Sequence, residues 1–361
     1  MISRRGFLAS AAMGAVASSL GSGLCAATAA TPDPLLPLWK AWKLIHVSSS
    51  GRVIDRLQDN VSHSEGQGYA LLVAEALGDR EGFDLILDWT LANLAVRDDA
   101  LLAWRWHPAN GGGVTDTNNA TDGDLFTAWA LMRAADRFGE PRYGEIGTRI
   151  AADISRLCLI PSPGSAQEWL LLIPGVEGFA TSEGVVVNPA YYMLRAMREI
   201  GEQAAEPRLV AAAADGNAML SRLARERLVP DWVRVTPEGF SPDPEKSRAF
   251  GYEALRVPLY LIWSGLPGHP AVARAREAYR ASLEEAGDTI PVVIDPETGE
   301  TRETSSDPGY RALAALTACA GGARTGGLMP AFTAGQPYYP GVLQLLSLLA
   351  QRESTLGCYV R

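Results

Sequence analysis

Three acids stand at the starts of apolar, helix-like runs. They are Glu65 in Ser-Glu-Gly-Gln (64–67), Asp122 in Thr-Asp-Gly-Asp (121–124) and Glu253 in Phe-Gly-Tyr-Glu-Ala-Leu-Arg-Val-Pro (250–258). One acid in a helix's first turn needs no chemistry to explain it, because the macrodipole favours it by about 0.3–1 kcal/mol. Here each acid lies within two residues of a glycine and ahead of a run that reads as buried, which points to converging carboxyls, the equipment of general acid–base chemistry. The intervening loops carry Trp104, Arg105 and Trp106 in Trp-Arg-Trp-His-Pro (104–108), and the amides of Asp-Thr-Asn-Asn-Ala (116–120). Aromatic faces beside amides and charges are how a cleft holds sugar rings. Trp104 or Trp106 is expected to serve as a platform, with Arg105 and Asn119 as hydroxyl partners.

The elements that must position these groups are helices. Apolar residues recur at helical spacing over 69–78, 83–96, 124–139, 143–159, 191–201, 208–227, 271–287, 309–322 and 339–352. Gly78, Gly139, Gly201 and Gly287 are placed to close helices as left-handed caps. Ser64 with Gln67, and Thr121 with Asp124, read as capping boxes. Asn188 reads as a cap followed by Pro189, ahead of Tyr191 and Tyr192. Pro258 is expected to kink or stop the run after Glu253. Extended runs are few: around 168–188, and at 291–303, where a turn at 296–299 suggests a hairpin. Eleven or twelve helices joined by alternating short and long loops predict an all-α fold of paired antiparallel helices, which a toroid of helical hairpins would close. No fixed-period repeat and no linker after residue 34 is visible, so residues 31–361 read as one domain.

Residues 1–30 form a different object, with a basic start, a weakly apolar middle and Ala27-Thr28-Ala29 as a cleavage site; they read as a signal peptide. Arg4-Arg5 before Gly-Phe-Leu resembles a twin-arginine export signal, with an ordinary secretory signal as the alternative. A lipoprotein reading through Cys25 is weaker, because Leu24 stands where a small residue is expected. A periplasmic or secreted protein follows. The net charge of −9 becomes about −11 once Arg4 and Arg5 leave. So acidic a chain is a poor partner for nucleic acid or anionic lipid, and no later stretch is apolar enough to span a membrane. Cys158, Cys319 and Cys358 allow one disulfide, with Cys319–Cys358 the candidate. His46, His63, His107 and His269 lack metal-ligand spacing, and the glycines at 111–113 lack the lysine of a phosphate loop.

Four segments resemble one known family. Residues 120–138, Ala-Thr-Asp-Gly-Asp-Leu-Phe-Thr-Ala-Trp-Ala-Leu-Met-Arg-Ala-Ala-Asp-Arg-Phe, match the signature of glycoside hydrolase family 8 at every fixed position but one, Thr127 standing where the family shows Ile or Met. Ser-Glu-Gly-Gln-Gly-Tyr (64–69) resembles its general-acid segment, and 188–192 and 252–258 resemble two more. The resemblance spans about 36–350 and is nearest to the exported endoglucanases that accompany bacterial cellulose synthesis. It implies an (α/α)6 barrel that cleaves β-1,4 glycosidic bonds with inversion and without metal or cofactor. By position it implies Glu65 as general acid, Asp122 as the acid that grips and distorts the central sugar, and Tyr191 in the cleft wall. The base in that subgroup is an Asp; this chain has Glu253. Tyr252 and Arg256, in the same segment, complete the expected substrate-contacting set.

An inverting glycosidase needs a protonated carboxyl beside the leaving oxygen and an ionised one across the sugar, about 6.5–9.5 Å apart. A helix start favours the carboxylate form of Glu65, so a nearby ionised Asp122 and burial among tryptophans are expected to counter it. Arg256, three residues after Glu253, is placed to pair with it. If Glu253 is displaced, Asp116 or Asp243 is the substitute base. The expected partner is a β-1,4-glucan, handled by a monomer, with cellulose-synthase machinery as a candidate associate. The rivals are a glucan-binding protein without catalysis, and the same chemistry on xylan or chitosan.

Overall fold

The computed structural model describes residues 33–164, 169–225, 227–284, 288–320 and 328–354. The expected signal peptide, the Gly287 cap and Cys358 lie outside the described residues. Eleven helices are described: α1 Leu36–His46, α2 Ser64–Leu77, α3 Arg80–Asn93, α4 Thr121–Phe138, α5 Pro141–Leu157, α6 Leu194–Gln203, α7 Pro207–Leu223, α8 Arg256–Trp263, α9 Pro270–Glu284, α10 Pro308–Ala320 and α11 Tyr338–Ser354. Helices α2, α4, α6, α8, α10 and α11 form an inner ring, each against the next, with α11 returning to α2. Helices α1, α3, α5, α7 and α9 pack outside, so the described residues supply six inner and five outer helices of an (α/α)6 barrel.

Burial separates the two layers. In α2 every residue but Glu65 is buried, and in α8 every residue is. Such helices have neighbours all round. Outer α5 buries a stripe at Tyr143, Ile146, Gly147, Ile150, Ala151 and Ile154 and leaves the opposite face wet.

Among the described residues, eleven β-strands, all antiparallel, decorate the barrel. β1 Ser62–His63, β2 Arg105–His107 and β3 Gly113–Val114 form one sheet, with Ser62 opposite Trp106 and Trp106 opposite Val114. β4 Leu159–Pro161 pairs with β5 Leu170–Leu172. β6 Ala180–Thr181, β7 Gly184–Val187, β8 Val233–Thr236 and β9 Gly239–Ser241 make a four-stranded sheet. β10 Ile290–Ile294 and β11 Thr301–Ser305 are the expected hairpin, turned at Gly299 with φ of 75°.

Several local expectations are corrected. Gly78 and Gly139 close α2 and α4 in the left-handed conformation, but Gly201 lies inside α6, which continues to Gln203. A Cβ there would stand 2.9 Å from Val210 Cγ2, so the glycine serves close packing of α6 on α7. Neither capping box forms. The helices begin at Ser64 and Thr121 with no side-chain cap. Gln67 instead accepts from Val53 N at 2.6 Å and donates to Thr90 Oγ1 at 2.7 Å, while Asp124 accepts from Leu102 N at 2.7 Å. Pro258 neither kinks nor stops a helix. It is the third residue of α8, where its missing N–H would have no intrahelical acceptor anyway. Among the described residues no helix is long and apolar enough to cross a membrane.

Candidate active site

Helices α2 and α4 start side by side, and the small residues of their first turns allow it. A Cβ on Gly123 would collide with Ser64 Oγ and stand 2.7 Å from Glu65 N; one on Gly66 would stand 2.6 Å from Tyr338 Oη. Gly123 is therefore what lets Asp122 approach Glu65, while Gly66 makes room for the Tyr338 hydroxyl of α11. They face a cleft of about 620 Å³ whose walls include Glu253, Trp104, Tyr191 and Tyr252.

Arg256 organises the acids. Its side chain is buried at the start of α8, 1% exposed. Nη1 donates to Glu65 Oε2, to Tyr69 Oη at 2.8 Å and to Asp122 Oδ2 at 3.3 Å; Nη2 donates to Glu253 Oε2. The sequence places the Arg256–Glu253 pair three residues apart, and that pair forms. Its reach to Glu65, across 191 residues, had no local signal. Asn188 Nδ2 adds a 3.0 Å hydrogen bond to Glu253 Oε2, while its Oδ1 caps the 3₁₀ turn Pro189–Tyr191 through Ala190 N.

Three carboxyls thus surround one guanidinium. Burial, and then the Glu65 charge, push Asp122 well above the usual carboxylate range, with Arg256 opposing. Asp122 is near Glu65 as expected, but its environment favours the protonated form, contrary to the expected lasting charge. Beneath the cluster Tyr69 and Tyr260 share a 2.5 Å hydroxyl contact, and burial raises both phenols.

The predicted sugar-binding residues divide. Trp104 lines the cleft, its Nε1 held by Asp116 Oδ2 at 2.8 Å and its ring lying 6.1 Å from the stacked His63. Burial lowers His63 to about 4, so it stands there as a neutral ring. Tyr191 and Tyr252 line the same cleft. Trp106 does not: on the paired strand β2 it packs edge-on against Trp89, 5.7 Å away, with Arg52 over it. Trp104 precedes β2, so the alternation of the strand does not tie it to the face that Trp106 takes. Arg105 lies 4.1 Å over the Trp104 ring as a cation–π partner, outside the cleft lining. Asn119 is buried and committed to protein, donating to Asp124 Oδ2 at 2.8 Å and accepting from Val176 N at 2.8 Å. It is a brace for the loop before α4, not a hydroxyl partner.

The substitute bases are elsewhere. Asp116 braces Trp104, and Asp243 pairs with Arg234 on β8. Sequence reasoning missed Asn188 as a contact of Glu253, Tyr69 as a contact of Arg256, and Tyr339, whose Oη donates to Tyr252 O at 2.5 Å. The Asn-Pro-Ala-Tyr-Tyr segment was a signal for the first; the paired tyrosines 338–339 in an apolar run carried none.

The sequence was compared with known proteins. The family described as Glycosyl hydrolases family 8 matches residues 8–353. A relative named "Probable endoglucanase" from Novacetimonas hansenii is 32% identical over 335 residues, 90% of this chain and 93% of the relative. An endoglucanase of Cellulomonas uda is 31% identical over 77% of this chain and 76% of its own. The solved endo-beta-1,4-glucanase CMCax of Acetobacter xylinum superposes with a TM-score of 0.80 at 31% identity, covering 90% of this chain and 100% of that one.

Proposed function

The chain belongs to glycosyl hydrolase family 8, and from that premise we propose that it is an exported endo-β-1,4-glucanase that cleaves cellulose-like glucan with inversion, in the service of cellulose synthesis. The endoglucanase names of its relatives support the substrate. One observation carries the mechanism: Glu65 and Glu253, which line the cleft, bind the two terminal nitrogens of a single guanidinium buried behind it, so Arg256 holds the acids and is not the substrate contact expected of it.

Glu65 protonates the leaving glycosidic oxygen. Glu253 takes a proton from a water that attacks the anomeric carbon from the opposite face. Arg256 and Asn188 aim the Glu253 carboxyl. Asp122, buried between them, grips the central sugar, and its retained proton lets it donate as well as accept a hydroxyl hydrogen bond. Turnover leaves Glu65 ionised and Glu253 protonated, and exchange with solvent resets them.

The acids lining the cleft, Asp55, Glu65, Asp122, Glu253 and Asp307, favour a second reading, the same chemistry on cationic chitosan. Reducing-sugar release from carboxymethylcellulose, xylan and chitosan, with the product anomer followed by NMR, separates these. Release from cellulose with initial α-anomer is expected. Retention would overturn the mechanism, and no release from any polymer would leave glucan binding alone.

A further inference from the structure

One carboxylate outside the cleft is tied to the backbone that carries Glu253. Asp231, just ahead of β8, is 4% exposed. Its Oδ1 accepts three backbone N–H groups, from Gly251 at 3.0 Å, Glu253 at 3.2 Å and Ala254 at 2.8 Å. Its Oδ2 accepts from Ser247 Oγ at 2.7 Å, and its own N–H donates to Ala249 O at 2.7 Å. Residues 247–254 are thus pinned from both sides by a single residue.

The turn needs such an acceptor. Residues 252–255 coil directly into α8, so their leading N–H groups have no partner within the coil. Gly251 and Ala254 are buried, so their N–H groups need an acceptor from the protein. Gly251 is small for the same reason: a Cβ there would stand 2.7 Å from Asp231 Oδ2.

We propose that Asp231 is the positioning residue of the catalytic base: it fixes the turn that aims the Glu253 carboxyl and places a second negative group behind it. The inference rests on Glu253 being the base. The groups that face Glu253 are Arg256 on its own turn, Asn188, Tyr191, Asp122 from α4 and Tyr339 from α11, with Asp231 behind the backbone and Glu65 of α2 sharing Arg256 with it. Glu253 and Asp231 repel, which adds to the effect of burial on Asp231. Misplacing a catalytic carboxylate by about 1 Å costs on the order of 10²-fold in rate.

Two variants separate aim from charge. Asp231→Ala removes all three acceptor bonds; kcat should fall at least ~10²-fold with KM changed less than about three-fold. Asp231→Asn keeps an oxygen facing the three N–H groups but removes the charge. Its kcat should fall less, and the acidic limb of its kcat/KM–pH profile should move to lower pH, because the base loses a repelling neighbour. A folded Asp231→Ala protein with kcat within about three-fold of wild type overturns the proposal. If Asp231→Ala fails to fold, an unmoved acidic limb in Asp231→Asn overturns it. Glu253→Gln tests the underlying reading separately: its full activity would remove Glu253 as base, whatever Asp231 does.

Discussion

Arg256 Nη1 lies 3.3 Å from Asp122 Oδ2, with both side chains almost fully buried. The same nitrogen also serves Glu65, so one cation links the first turns of α2, α4 and α8. Removing Arg256 would take the shared partner from Glu65 and Glu253 as well as from Asp122, whereas removing Asp122 would leave the guanidinium paired with the two glutamates.

Glu253→Gln is therefore expected to lower turnover at least ~10²-fold while leaving the fold intact, since the amide keeps a hydrogen-bonding oxygen for Arg256. Steady-state kinetics on carboxymethylcellulose check this. Near-normal turnover would remove Glu253 from the mechanism.

Trp104 and Trp106 should respond in opposite ways. Trp104→Ala should raise KM for cello-oligosaccharides several-fold, the loss of an aromatic face worth about 0.5–1.5 kcal/mol, with little change in Tm. Trp106→Ala should leave KM alone and lower Tm, because its ring packs on Trp89 and under Arg52. Paired melting and kinetic measurements decide it; a KM effect at Trp106 alone would reverse the assignment.

The far end of the barrel carries its own ionic seal. Glu353 on α11 accepts from Arg133 of α4 at 3.2 Å and Arg195 of α6 at 2.7 Å, and from Trp263 Nε1 of α8 at 3.0 Å. Glu353→Ala leaves Arg133 with Glu75 and Arg195 with Glu199 but takes the acceptor from the Trp263 indole N–H, and should cost about 1–3 kcal/mol. Urea unfolding measures this, and an unchanged midpoint would show that the seal is dispensable.

His46 predicts a pH dependence of stability. Burial, the largest cause, lowers it to about 4 from an ordinary 6.5, and it packs on Trp42 and Tyr338. The unfolded chain protonates first, so the contribution of a neutral His46 is complete above about 6.5 and is lost as pH falls from there towards about 4. His46→Phe keeps the ring contacts and removes the titration. Its denaturation midpoint should fall less than wild type's across that interval; equal slopes would sink the idea.

Much of the scaffold was legible because apolar residues recur at helical spacing: the runs at 69–78 and 124–139 end on the caps of α2 and α4, and 339–352 lies within α11. Two helices escaped. They are α1 and α8; α8 has only eight residues, and Pro258 argued locally for an end. The capping boxes failed for the opposite reason. Gln67 and Asp124 have the right spacing to cap their own helices, yet buried backbone N–H groups of neighbouring loops, Val53 and Leu102, claim them.

By itself the sequence determined that acids would head glycine-flanked helices and that aromatic loops would lie between them, because helix period and the absence of a side chain are local properties. It did not determine that one arginine would join Glu65, Asp122 and Glu253, that Asn188 and Asp231 would hold the turn of Glu253, or that Asn119 and Trp106 would face inward. Those outcomes belong to the tertiary structure. A hydrogen bond or a buried ring is decided by which groups closure of the barrel leaves within about 3 Å of one another, and the chain distance between Glu65 and Arg256 carries no trace of it.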